Sequence, residues 1–287
     1  MSSPITWIGS LDVWRHHHRA DHGQSSQHYP HAEDDASSHG SPIIMRLKRT
    51  VLYNGSSPYG HYRIIDTMYD GRPARLLYGD GNSPQSGVAR DDDPELLFDY
   101  NQRFLEMIKS RRPRNILVIG GGGFMLPIAA YHLFPDLAIE VVEIDELLVQ
   151  LSRDFFDLPD DPRLLVCVGD GADFLMTTKK RYDMIIIDAF SGYTVPPHLV
   201  QRDTIRQYRR HLTKTGIVAI NFISEYKQRR ERLAHEVVAS FSEVFQHVTM
   251  YQSDPHYTRG EEQNLVLAAS DGVLHFDYLQ SDEIELL

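Results

Sequence analysis

From residue 115 onward, short apolar runs alternate with segments in which apolar residues recur every three to four positions. The runs are 115–120 (NILVIG), 138–144 (AIEVVEI), 164–169 (LLVCVG), 182–188 (YDMIIID), 216–223 (GIVAINFI), 247–252 (HVTMYQ) and 263–270 (QNLVLAAS). Most are nearly continuous rather than alternating, which is how strands covered on both faces of a parallel sheet read. Helical spacing fills the gaps at 124–134, 145–156, 171–178, 197–211 and 228–243. Such alternation predicts a doubly wound, mostly parallel seven-stranded α/β sheet. The last two strands follow one another without a helix, so they are expected to pair antiparallel at an edge.

Upstream the pattern changes. Three segments, RTVLYNG, GHYRIIDTMYD and RPARLLYGDG, carry β-formers. Turn signals punctuate them at Asn54-Gly55, Asp70-Gly71 and Gly79-Asp80-Gly81. A small β domain is expected over 43–88. A connecting segment over 89–112 holds a helix at 94–110, with Pro94 in its first turn and Leu96, Leu97, Tyr100, Phe104, Met107 and Ile108 on its apolar face. The α/β domain takes 113–287. Residues 1–42 hold seven of the fifteen histidines among Ser, Asp and Gly, and their composition predicts a disordered extension. The histidine spacing is irregular and predicts no metal site. No internal repeat is found.

Composition narrows the function classes. Hydrophobic residues at 41% and charged residues at 24% are ordinary for a globular protein. A net charge of −11, from 40 acidic and 29 basic residues, argues against a nucleic-acid partner. The single cysteine, Cys167, sits in an apolar run and reads as a buried strand residue. No apolar run approaches the ~18 residues of a membrane span, and no signal-peptide pattern opens the chain. A cytoplasmic protein without membrane contact is expected.

The first strand of the α/β region runs into Gly120-Gly121-Gly122-Gly123, and a helix follows. Glycines let the backbone turn tightly against a ligand, and the helix directs free N–H groups at it. A dinucleotide fingerprint needs a third glycine where Met125 stands, so that reading recedes. Glu143 ends the second strand about 20 residues later, where an acid can accept both ribose hydroxyls; Asp145 reads as a helix N-cap. Asp170, between Gly169 and Gly171, can accept from an adenine amine or cap its helix. Asp188 ends the fourth strand, where partial desolvation would raise its pKa and suit it to take a proton; its alternative role is to organise the loop after it. Three elements at successive carboxyl ends of strands converge on one crevice of a Rossmann-like sheet.

These residues resemble the spermidine synthase family, the polyamine aminopropyltransferases, over roughly 51–270. The glycine run, Val142–Asp145 (VEID) and Gly169–Gly171 (GDG) carry the resemblance, with Asp188 at the family's catalytic aspartate. It implies a small β domain ahead of a class I methyltransferase-like fold, a homodimer, and decarboxylated S-adenosylmethionine as donor of an aminopropyl group to a diamine. Gly120, Gly121, Gly122, Glu143, Asp170 and Gly171 would then hold the nucleoside. Gln85 joins them if one residue is inserted into the family's DGxxQ turn. Three positions depart from the family. Gly123 and Phe124 follow the glycines where the family has the Asp that grips the aminopropyl arm. The family's Tyr-His pair becomes Phe98-Asp99. Its D-S-S-D segment becomes Asp188-Ala189-Phe190-Ser191, so the carboxylate that holds the diamine is lost. Burying an ammonium without an anionic partner is costly; Asp99, Glu225 or Asp254 is the candidate substitute for the lost charge, and Asp99, Ser191 and Tyr193 are the candidate acceptor contacts. The expected function is transfer of an alkyl, aminopropyl, group to an amine. Methyl transfer from S-adenosylmethionine and a non-catalytic nucleoside-binding protein stay open beside it, and a NAD-dependent enzyme is the remotest reading.

Overall fold

A computed structural model describes residues 49–91, 96–191, 194–225, 231–254, 262–276 and 283–284. The histidine-rich extension, Pro94, Gly192 and Tyr193 lie outside them.

Strands β1 (Thr50–Ser57), β2 (Gly60–Tyr69), β3 (Arg72–Tyr78) and β4 (Pro84–Ala89) form an antiparallel sheet in chain order. Asp70 and Gly71 link β2 to β3 with φ of 48° and 76°. Positive φ at both central residues is what a two-residue hairpin matching the strand twist requires. The turn expected at Asn54-Gly55 is not one: both residues lie inside β1, paired with Arg63 and Tyr62. The Tyr53 ring lies over Gly55 and covers the bare backbone, and the chain turns at Pro58-Tyr59 instead. β4 was hidden in the sequence because its Pro, Ser and Gly read as loop.

Helix α1 (Asp99–Arg111) then leads into the large sheet. That sheet contains β5 (Asn115–Ile119), β6 (Ala138–Glu143), β7 (Leu164–Val168), β8 (Tyr182–Ile187), β9 (Leu212–Glu225), β10 (His247–Gln252), β11 (Glu262–Ser270) and a two-residue β12 (Glu283–Ile284). The order is β12-β10-β11-β9-β8-β5-β6-β7. β5 to β9 are parallel, and β11 inserts antiparallel between β9 and β10. The seven expected strands are present, and β12 extends the edge.

Helices α2 (Met125–Leu133) and α3 (Glu146–Phe155) join α1 on one face, around Phe104, Met107, Leu126, Leu148, Val118 and Ile186. Helices α4 (Gly171–Thr177), α5 (Arg202–His211) and α6 (Glu231–Ser242) cover the other, around Leu175, Tyr208, Phe241, Ile187 and Ile220. The helix expected over 197–211 is broken into a short 3₁₀ turn, Pro197–Leu199, and α5, because Gln201 is extended (ψ 146°). The continuous run of β7 reads as buried on both faces, yet β7 is the sheet edge. Leu165 and Val168 are 45% and 53% exposed and Cys167 is half-buried, which corrects its expected burial.

Asp145 joins the two sheets. It caps α3 by accepting from the Leu147 N–H at 3.0 Å, and it also accepts from the hydroxyls of Ser57 and Tyr62 in the small sheet. Arg75 of β3 makes a second tie: it grips Asp66 and donates to the Phe155 carbonyl at 2.8 Å.

Candidate active site

The carboxyl ends of β5, β6, β7 and β8 lie side by side. Gly120 has φ +91°, and a Cβ there would stand 2.4 Å from the Asp188 carbonyl oxygen. Only glycine lets the end of β5 lie against the end of β8, where the Asp188 N–H donates to the Ile119 carbonyl at 2.8 Å. Gly122 has φ +52° and open space beside it. Gly171 fits because a Cβ would press on Ile119 at 2.3 Å.

Glu143 reaches back across this turn. One carboxylate oxygen accepts from the N–H groups of Gly121 (2.6 Å) and Gly122 (3.2 Å), and the other from the Asp145 N–H (2.9 Å). It is 5% exposed. Burial pushes its pKa up, against the pull of those three N–H groups and with a push from Asp145. Asp170 is likewise engaged. One oxygen accepts from Ala172 and Asp173 at the start of α4, at 2.8 and 3.1 Å, and the other meets His198 Nε2 at 2.9 Å. Of the two roles expected of Asp170, the capping one is therefore present.

Asp188 emerges from β8 between two polar neighbours. Asn221 Nδ2 of β9 donates to its Oδ1 at 2.9 Å, and the Tyr100 hydroxyl of α1 hydrogen-bonds to it. The residue keeps some accessible surface, but its carboxyl is set deep. Burial raises its pKa to about 6; the two hydrogen bonds oppose this and Glu143 adds to it. Tyr100 is raised in turn, by burial first and then by the Asp188 charge. The Asn101 side chain hydrogen-bonds the Tyr100 hydroxyl. The amide oxygens of Asn101 and Asn221 are buried and find no partner among the described residues. A buried acceptor left unmade costs about 1–3 kcal/mol.

The remaining expected residues lie further out. Asp99 is half-buried in the first turn of α1, one position before Tyr100. Ser191 is exposed, its N–H donating to the Thr194 carbonyl at 2.8 Å. Gln85 is exposed and folds over Gly79, whereas its buried neighbour Ser86 faces Gly123 of the loop. Tyr193 lies outside the described residues. Sequence reasoning missed Tyr100, Asn101, Ser86, His198 and Asn221. One signal was available: Asn221 is the single polar residue within the run GIVAINFI. Among the described residues, no three or more His, Cys, Asp or Glu side chains gather as a metal site.

A glycine turn, an acid on each following strand and a deep aspartate on the fourth form one constellation. The model of the spermine/spermidine synthase domain matches residues 104–261. This chain belongs to that family. The polyamine aminopropyltransferase of Vibrio vulnificus is 29% identical over 183 residues, covering 62% of this chain and 61% of that protein. The match thus spans about three fifths of that relative's length. A probable spermidine synthase from Corynebacterium glutamicum has the same fold, with a TM-score of 0.68, 23% identity and 82% of each chain covered. Human methyltransferase-like protein 13 shares the fold over 63% of this chain and 84% of its own, at a TM-score of 0.51 and 24% identity. The large sheet of this spermine/spermidine synthase relative is therefore methyltransferase-like, with the four-stranded sheet added ahead of it.

Proposed function

We propose that this chain is an aminopropyltransferase that takes decarboxylated S-adenosylmethionine as donor and an amine as acceptor. The observation that carries the reading is Asp188: a deep carboxyl with a pKa of about 6, held against the glycine loop by the β5–β8 contact. In this reading Gly120, Gly121, Gly122 and Gly171 shape the nucleoside cradle. Glu143 serves the ribose and Asp170 the adenine, each while keeping its backbone partners. Gln85, Asp99, Ser191 and Tyr193 remain proposed outer contacts.

The acceptor arrives as an ammonium and must lose a proton before its lone pair can attack. Asp188 takes that proton. The nitrogen then displaces sulfur in line: a C–N bond forms, the C–S bond breaks, and methylthioadenosine leaves as a neutral thioether. Raising a carboxyl from 3.8 to about 6 lowers the cost of that proton transfer by roughly 3 kcal/mol. Positioning of the two reactants supplies the rest. Methyl transfer from S-adenosylmethionine is the second reading. It is favoured by Gly123, which offers Ser86 rather than a carboxylate to the donor's arm.

The division at 43–88, 89–112 and 113–287, a cytoplasmic location and a homodimer belong to the same proposal. Val51 and Tyr59, 56% and 55% exposed on the β1–β2 hairpin, support a partner there. Product mass decides the chemistry. Incubation with each donor and an amine panel is expected to add an aminopropyl unit from the decarboxylated donor. A methyl gain from S-adenosylmethionine would install the second reading, and donor binding without product from either would install a non-catalytic protein.

A further inference from the structure

β7 is the outermost strand of the large sheet, and among the described residues no strand pairs with its outer side. Its register with β6 is unbroken, so no bulge turns the edge away. Leu164–Val168 hold no charge and no proline, the devices that commonly blunt an exposed edge. Leu165 is exposed on one face of the strand and Val168 on the other. The direction of the backbone groups follows from the two ends. The Arg163 carbonyl accepts from the Ile139 N–H at 2.7 Å, and the Gly169 N–H donates to the Glu143 carbonyl at 2.9 Å. Alternate residues of a parallel strand turn both their groups to the same neighbour. Leu165 and Cys167 therefore face β6, and Leu164, Val166 and Val168 turn outward. Of these outward groups, the Leu164 N–H is held by the Asp161 carbonyl at 2.9 Å.

We infer that β7 is a self-association edge, pairing antiparallel with β7 of a second copy of this chain about a two-fold axis at Val166. Such an axis makes the pair i–j equivalent to j–i. Hydrogen-bonded and non-hydrogen-bonded pairs alternate along the ladder, so each residue must face one an even number of positions away. Of the registers this leaves, the one centred on Val166 overlaps all five residues of both strands. It sets the Val166 N–H against the partner's Val166 carbonyl, in both directions, and the Val168 N–H against the partner's Leu164 carbonyl. Leu165 then lies opposite the partner's Cys167 and Val168 opposite the partner's Leu164, so both exposed side chains gain apolar neighbours. No like charges meet within the paired strands. At each end Arg163 falls opposite the partner's Gly169, next to the partner's Asp170, so the flanking charges are complementary. This surface is separate from the β1–β2 hairpin, and it stands whether or not a partner also sits there.

The test uses the full chain carrying Val51→Lys and Tyr59→Lys, so that no hairpin contact contributes, in sedimentation equilibrium with reductant. A dimer is expected. Leu165→Lys and Val168→Lys together are expected to weaken it about hundredfold, by setting like charges into the paired strands. Both positions are exposed, so the melting temperature is expected to hold and reports whether the variant is folded. Without reductant, Leu165→Cys is expected to give a covalent dimer between the introduced thiol and the partner's Cys167. Non-hydrogen-bonded pairs hold their Cα atoms about 4.5 Å apart, within the reach of a disulfide. The parent, with Cys167 alone, is expected to stay uncrosslinked. A monomer at every concentration, an unchanged dimer in the folded lysine variant, or a covalent dimer through Cys167 of the parent overturns the inference. So does a monomer whose β7 amides resist hydrogen exchange, because another segment then covers the edge. Aminopropyl transfer is scored separately and bears on none of these outcomes.

Discussion

At Asp188, burial acts on proton affinity and on folding through the same free energy. The folded pKa of about 6 lies above the ordinary 3.8. Asp188 therefore stabilises the fold when protonated, fully below about pH 4, and that contribution is lost as pH rises through 6. An Asp188→Asn variant is expected to gain about 1–3 kcal/mol over wild type at pH 8, with the gain shrinking toward pH 4; urea denaturation at three pH values measures it. Asn221 can rotate its amide to offer its unpartnered oxygen to the new side chain. The same variant is expected to lose 10²–10⁴-fold in turnover while still binding methylthioadenosine. Tyr100→Phe removes a hydrogen bond that lowers the Asp188 pKa. The acidic limb of its kcat/KM profile is expected above pH 6, and a limb at or below the wild-type position would contradict the contact. The positions of the glycine turn and the strand-end acids, the proposed nucleoside half, were legible because they are set by local spacing. Tyr100 was not, since it occupies an ordinary position on the apolar face of its helix, and Asn221 showed only as a polar residue in an apolar run. Only the packing of α1 and β9 beside β8 turns them into polar neighbours of a carboxylate.

Among elements, the β5–α2 turn separates two costs of side chains on glycine positions. Gly120→Ala must take up φ +91° and push a Cβ into the Asp188 backbone, whereas Gly122→Ala meets only an unfavourable φ of +52° in open space. Denaturant melts are expected to show a loss of about 1–2 kcal/mol for Gly122→Ala and a distinctly larger loss for Gly120→Ala. Phe124 already accepts left-handed backbone, at φ 58°, as the residue before α2. Its ring is fully buried in the core, so Phe124→Gly is expected to cost about 3–5 kcal/mol despite the relieved backbone. The parallel units were readable because apolar period and length agreed along each one. Boundaries failed where context overrode local signals. Asn54-Gly55 pairs within a strand under the Tyr53 ring, and β4 forms from residues that favour turns. The 197–211 segment breaks where the Thr204 hydroxyl donates to the His198 carbonyl at 2.6 Å.

For the molecule as a whole, Asp145 is the point on which the small sheet and the large one agree. Asp145→Ala removes a helix cap, worth about 1 kcal/mol, and strands the Ser57 and Tyr62 hydroxyls, at about 1–3 kcal/mol for a buried one. A total loss near 2–4 kcal/mol is expected in a chemical melt. The sequence marked Asp145 as a cap, yet its second task depends on a sheet some 80 residues upstream, at Ser57 and Tyr62, and no local pattern announces it. The contact of Gly120 with the Asp188 backbone has a reach beyond catalysis. It welds the glycine turn and the end of β8 that carries Asp188 into one piece, and in the proposed reading the other acceptor contacts, Asp99 and Ser191, stand outside it, on α1 and in the loop after β8. On that reading such a scaffold can exchange its acceptor by drift in those segments alone, with the proposed adenosine grip unchanged. A chain on this plan is then free to change its clientele while keeping its donor.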